Sequence, residues 1–140
     1  MLKPKRLVNK NFLSSLDISK EEFLEILDLA KNFKNKTLEL KFKDKVLGLI
    51  FDKSSTRTRV SFQVAMSRLG GTTIDLNPNS SQIGRGEPVK DTARVLSKYC
   101  DVLAIRTFKQ SVIEEYAKWS TKPVINAPVS YTHLTLPTNA

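Results

Sequence analysis

Val46-Leu47-Gly48-Leu49-Ile50-Phe51 runs directly into Asp52-Lys53-Ser54-Ser55-Thr56-Arg57-Thr58-Arg59-Val60-Ser61-Phe62. The first six residues carry no polar side chain, as expected of a strand buried on both faces of a parallel sheet. The residues that follow crowd hydroxyls and two guanidinium groups into the turn that opens a helix. A helix N-terminus offers free backbone N–H groups and the positive end of the helix dipole. With hydroxyl donors and fixed cations added, such a turn suits a phosphate group. Simple capping by Ser55–Thr58 is the competing reading, but capping needs no cation, and the dipole opposes one unless an anion is present.

Outward from this stretch, strand-like and helix-like segments alternate. Residues 1–16 read as an irregular arm. Ser19 opens a helix with Glu22 three residues on, a capping box. Phe23, Ile26, Leu27, Ala30 and Phe33 follow at helical spacing and predict one buried face, with Asn35 and Lys36 ending the helix. Val60, Val64 and Leu69 are expected to line the helix after the turn, which stops at Gly70-Gly71. Thr72-Thr73-Ile74-Asp75-Leu76 reads as a second strand, and 77–87 as a polar loop. Pro88 suits the first turn of a third helix, whose apolar side is Val89, Ala93, Leu96 and Cys100. Residues 101–105 form a third strand ending at Arg106. Ile113, Tyr116 and Ala117 mark a fourth helix, and 123–126 a fourth short strand. Strands alternating with helices predict an α/β fold, a parallel sheet of about four strands with helices on both faces. Ligands in such folds sit at the carboxyl ends of strands, where Ser55–Thr58 and Arg106 both fall.

Composition narrows the function classes. The chain has 140 residues, 40% hydrophobic and 26% charged, which describes an ordinary globular domain with a core. No apolar run approaches a membrane span, and the basic start lacks the apolar segment of a secretory signal. A single cysteine, Cys100, fits a reducing compartment, so the cytoplasm is the expected location. The helix period turns Cys100 inward, as a core thiol. The formal charge of +9 raises the question of nucleic acid. Its lysines are interspersed with carboxylates and not interleaved with aromatic residues, so neither nucleic acid nor membrane is an expected partner. Arg59 reads as the partner of a carboxylate, and Tyr116 and Trp119 as packing at a helix end.

Two motifs carry a resemblance. Ser55-Thr56-Arg57-Thr58-Arg59-x-Ser61-Phe62 is followed by Gly84-x-Gly86-Glu87-Pro88-x-Lys90-Asp91-Thr92-Ala93-Arg94-Val95-Leu96, and Arg106 closes the third strand. On these motifs residues 1–127 resemble the N-terminal, carbamoyl-phosphate-binding half of an ornithine carbamoyltransferase. Aspartate carbamoyltransferases share this half, with a Pro before Ser-Thr-Arg-Thr and a Glu after Ser-Phe. Here those positions are Ser54 and Gln63, which leans towards the ornithine type.

The resemblance implies transfer of a carbamoyl group from carbamoyl phosphate to the side-chain amine of ornithine, a step of arginine biosynthesis and the urea cycle. It implies no metal and no organic cofactor. It gives Ser55, Arg57 and Thr58, with the Thr56 backbone, the role of cradling the phosphate. Arg106 would bridge the phosphate and the carbonyl oxygen, and Arg57 and Arg106 would be the catalytic pair. It also implies a homotrimer in which Gln82, from a neighbouring subunit, reaches the phosphate. A carbamoyltransferase of the aspartate type and a non-enzymatic anion-binding domain are the alternatives.

Residues 128–140 break the pattern. The family continues after this point into a His-Pro-x-Gln motif, whereas His133 is followed by Leu134-Thr135-Leu136, so its role is not carried over. Residues 129–138 resemble the translation of a transposon-type sequencing adapter. The expected division is therefore a carbamoyl-phosphate-binding domain over 1–127, truncated before a second domain, and a non-native, disordered tail over 128–140.

Overall fold

The computed structural model describes residue 7, residues 9–52 and residues 54–127. The expected tail lies outside the described residues, as does Lys53. Four strands, β1 (Val46–Phe51), β2 (Thr72–Leu76), β3 (Val102–Arg106) and β4 (Val124–Asn126), alternate with four helices. The helices are α1 (Lys20–Lys34), α2 (Thr56–Arg68), α3 (Val89–Tyr99) and α4 (Gln110–Trp119). All strand pairs are parallel and the order across the sheet is β2-β1-β3-β4.

This order fixes where a ligand can sit. From β1 the chain steps outward to β2, then returns past β1 to lay down β3 and β4 on its other side. Right-handed crossovers therefore place α2 on one face of the sheet and α3 and α4 on the other. The reversal opens a crevice at the carboxyl ends of β1 and β3. Phe51 and Arg106, the last residues of the two strands, are register partners. The pairing continues one step further, with the Asp52 N–H donating to the Arg106 carbonyl at 2.9 Å.

The core lies on both sides of the central pair. Ile50, Leu103 and Ile105 pack with Ala93, Cys100, Ile113 and Tyr116 beneath α3 and α4. Leu47, Leu49, Phe51 and Ala104 point to the other face, against Phe62 and Met66 of α2. Phe62 meets Phe51 edge-on, with centroids 6.4 Å apart. Among the described residues no helix is long and apolar enough to cross a membrane.

Three expectations need correction. On α2 the sequence offers two apolar stripes, and the structure buries the other one. Phe62 and Met66 turn to the sheet, while Val60 and Val64 are 47% and 41% exposed. On α1 the capping box forms as expected, with Ser19 Oγ accepting from the Glu22 N–H and Glu22 accepting from the Ser19 N–H. The predicted buried face does not: Phe23 and Leu27 are about half exposed, and the buried residue of this helix is Glu22, held by Lys10 at 3.2 Å. Periodicity reports that a helix has an apolar side, not what covers it. Third, the arm is not wholly irregular. Phe12 bridges β4 in parallel, with its N–H on the Val124 carbonyl and its carbonyl receiving the Asn126 N–H. Residues 15–17 form a turn of 3₁₀ helix capped by Ser14.

Asp101, at the start of β3, ties the amino ends of the central strands together. Its carboxylate accepts from the Val46 N–H at 2.9 Å and lies 3.3 Å from Lys45 Nζ. The Val46 hydrogen bond holds its pKa below the ordinary value; partial burial opposes the shift and Lys45 assists it. A depressed folded pKa means stability that is full above the unfolded value and lost as pH falls through the folded one. Asp101→Asn should therefore unfold more readily than the parent at pH 7. The gap should close as the pH drops below about 4, where the parent carboxylate protonates too. Urea melts of both proteins across that range would check this; a gap independent of pH would rule out the ionic origin.

Candidate functional site

The site is built by the two loops that leave β1 and β3. Gly70, left-handed at φ +78°, ends α2 at its far end, so the helix axis is anchored away from the crevice while its N-terminus faces it. Ser55 is the N-cap of α2, but its hydroxyl makes no capping hydrogen bond. The first turn holds Thr56, Arg57 and Thr58 and no acidic residue. The bland alternative, a Ser that merely caps its helix, is thus not what the structure contains.

Arg106 meets this turn from β3. Its Nη1 donates to Thr58 Oγ1 at 3.1 Å, joining residues 48 apart in sequence. Its Nε is buried with no hydrogen-bond partner. A buried guanidinium N–H left unpaired is costly and calls for an acceptor. Arg57 is exposed, and among the described residues neither Arg57 nor Arg106 is ion-paired with a carboxylate. Uncapped N–H groups, the hydroxyls of the turn and two guanidinium groups without a carboxylate partner have the chemistry that suits a tetrahedral oxyanion.

Arg59 is different. Its Nε lies 3.2 Å from Asp75 Oδ2 of β2, off the line of a good hydrogen bond, and its guanidinium stacks 5.5 Å over the Phe51 ring. It pairs with a carboxylate, as read from the sequence, and fastens α2 to the sheet.

Residues 77–87 are more ordered than a polar loop. They contain two short 3₁₀ helices, Pro78–Ser80 and Gln82–Arg85. Gln82 is exposed on the second, and among the described residues no hydrogen bond joins it to Ser55–Thr58 or Arg106. The two helices interlock at Gly84, where any Cβ would collide with the Pro78 carbonyl. Gly84→Ala must therefore shift backbone and displace Gln82 and Ser81. We expect a loss of about 2 kcal/mol or more in stability, with loop amide resonances moving while those of β1 and β3 hold still. An unshifted loop spectrum would contradict this packing.

One group beside the site was read from sequence only as packing. Tyr116 of α4 is buried next to the Thr92 hydroxyl. Burial, then the Asp52, Glu87 and Glu115 carboxylates, push its phenol pKa well above the ordinary value. Thr92 Oγ1 in turn donates to Glu87 at 2.7 Å, fixing the end of the 77–87 segment onto α3. The signal was the Glu87-to-Thr92 spacing across a helix start, which no sequence rule singles out. Among the described residues no three His, Cys, Asp or Glu side chains gather as a metal site would need. A cavity of about 760 Å³ lies on the α2 face away from the crevice; its wall is mostly apolar, with Ile26, Phe62 and Met66, and Lys45 and Asp101 stand at its polar part.

Fold and site together define a doubly wound α/β domain with a cluster of hydrogen-bond donors and cations at its switch point. The model of the family "Aspartate/ornithine carbamoyltransferase, carbamoyl-P binding domain" matches residues 10–136, and the chain belongs to that transferase family. An ornithine carbamoyltransferase of Prochlorococcus marinus subsp. pastoris is 74% identical over 133 residues, covering 95% of this chain and 43% of that protein. A solved ornithine carbamoyltransferase from Pyrococcus furiosus superposes with a TM-score of 0.82 at 43% identity, over 91% of this chain and 42% of the other. A solved aspartate transcarbamoylase from Trypanosoma cruzi gives the same TM-score, 0.82, at 30% identity, over 91% of this chain and 41% of the other. The chain thus spans about two fifths of the length of the relatives it matches.

Proposed function

We propose that the chain supplies the carbamoyl-phosphate site of an enzyme that transfers the carbamoyl group to the side-chain amine of ornithine, giving citrulline and phosphate. The observation that carries the proposal is Arg106, with Nη1 on Thr58, Nε buried and unpaired, and an uncapped helix N-terminus beside it. In this reading the first turn of α2, with Ser55, the Thr56 backbone, Arg57 and Thr58, holds the phosphate. Arg106 reaches from the phosphate to the carbonyl oxygen. The neutral amine attacks the carbonyl carbon, a C–N bond forms, the C–O bond to phosphate breaks, and the nitrogen gives up a proton to the departing phosphate. The guanidinium groups stabilise charge that grows on the carbonyl oxygen and then on the leaving phosphate. Gln82, free of these residues within one chain, would act in a neighbouring subunit of a trimer.

Ornithine is preferred to aspartate as acceptor because the curated relatives at 52–74% identity are ornithine carbamoyltransferases. The solved aspartate enzymes reach 30–32%. In the proposal residues 1–127 form the functional domain, and the whole protein is a cytoplasmic trimer.

Because the chain covers 43% of its P. marinus relative, we expect the 140-residue chain alone to bind carbamoyl phosphate yet form no citrulline above the uncatalysed rate. Calorimetry with carbamoyl phosphate and a citrulline assay on the same sample would check both halves. Citrulline formed by this chain would refute the second, and no heat of binding would refute the first.

A further inference from the structure

On the face of the sheet opposite α2, one indole ring gathers three cations. Lys90 Nζ lies 4.5 Å from the centroid of Trp119, the Arg94 guanidinium 4.9 Å and Lys118 Nζ 5.4 Å. Helical side chains lean towards the N-terminus of their helix, so Trp119, on the last turn of α4, reaches back over the flank of α3. An exposed cation gains little from an aromatic face, and three like charges around one ring repel each other. All three lie within about one Debye length of one another, about 10 Å at 0.1 M salt, so screening does not separate them.

Carboxylates do not relieve the repulsion. Asp91 stands three residues before Arg94, and Glu114 and Glu115 stand four and three before Lys118. Yet no carboxylate comes within the 4.0 Å of an ion pair with Lys90, Arg94 or Lys118 among the described residues. Along α3, Lys90, Arg94 and Lys98 repeat at intervals of four, and like charges so spaced weaken a helix. A helix that accepts two such pairs, beside a fourth cation from α4, is arranged for a counter-charge from outside.

We propose that the Lys90, Arg94, Lys118 and Trp119 cluster binds a compact polyvalent oxyanion, a linear di- or triphosphate group, free or carried by a nucleotide. A single oxyanion cannot meet three cations spread about a ring, whereas a short chain of phosphates can, with the guanidinium of Arg94 taking two oxygens at once. Trp119 sits at the end of α4 remote from Arg106. The ten-residue α4 is about 15 Å long, which sets Trp119 at the end of the helix away from the loop that leaves β3.

Trp119 is the single tryptophan of the chain, so its fluorescence reports on this cluster alone. The chain is titrated with tripolyphosphate, ATP, inorganic phosphate and sodium chloride at matched ionic strength. We expect a saturable change with tripolyphosphate that weakens as salt rises, and none with chloride. Arg94→Gln and Lys118→Gln should each lower the affinity about tenfold, Arg94→Lys less, and Arg57→Gln should leave it unchanged. Circular dichroism would confirm that the variants are folded. Equal affinity for ATP and tripolyphosphate would support recognition of the phosphates alone, and tighter ATP binding a nucleotide as their carrier. The proposal is overturned if chloride reproduces the change, if inorganic phosphate binds as tightly as tripolyphosphate, or if the neutral variants bind as the parent does.

Discussion

Arg106→Gln keeps its fold and loses its hold on carbamoyl phosphate. Gln ends two bonds short of Nη1, so it gives up the donor to Thr58 together with the charge and the fork of the guanidinium. Losing a charged hydrogen bond of this kind costs about 1.5–3 kcal/mol of binding, or roughly a tenfold to hundredfold weaker affinity in calorimetry. In a full-length protein carrying the change, the expected fall in kcat is about 10²–10³, because in the proposed reaction the lost donor acts on charge that grows in the transition state. Stability should change little. Arg106 is partly exposed at the end of its strand, and the backbone link from Asp52 to its carbonyl needs no side chain. A variant that binds carbamoyl phosphate as the parent does would remove Arg106 from the site.

The largest effect on folding is expected at Leu49. It is fully buried in β1, flanked by β2 and β3, and its register partners are Asp75 and Ala104. Leu49→Ala deletes side-chain volume where both neighbouring strands are fixed by their ladders, so the gap cannot close easily. A loss of about 2–5 kcal/mol is expected, a large share of the 5–15 kcal/mol typical of a whole domain. Leu24 on α1 is 52% exposed, and Leu24→Ala should change stability by no more than about 0.5 kcal/mol. Urea unfolding of the two variants would separate a core leucine from a surface one. Equal losses would mean that α1 is covered in solution as well as β1 is.

These two residues show what the sequence could and could not tell. The run from Val46 to Phe51 names its own environment, because six successive apolar side chains can be satisfied only with both faces covered. The carboxyl ends of β1 and β3 were also legible, since the strand-and-helix alternation places Ser55–Thr58 and Arg106 at one edge. That they are neighbours, with Thr58 accepting from Arg106, depends on the reversal of strand order after β2, and no local pattern encodes that. The stripe of α2 went unread for a related reason. Val60 and Val64 have the same spacing as Phe62 and Met66, and the crossover alone decides which pair meets the sheet. For α1 the capping residues Ser19 and Glu22 are local and were legible. The exposure of Phe23 and Leu27 is a statement about neighbours. Gly84 lay within a recognised motif, but its reason, the Pro78 carbonyl against its Cα, exists only once two 3₁₀ turns interlock.

In the proposed function an oxyanion sits between the first turn of α2 and Arg106. Amide and guanidinium NMR during a titration with carbamoyl phosphate tests it most directly. The Thr56, Arg57 and Thr58 amides and the Arg106 Nε–H are expected to shift together, with one affinity, and the Trp119 indole is expected not to move with them. Shifts confined to α3 and Trp119, with the α2 turn and Arg106 unmoved, would contradict it.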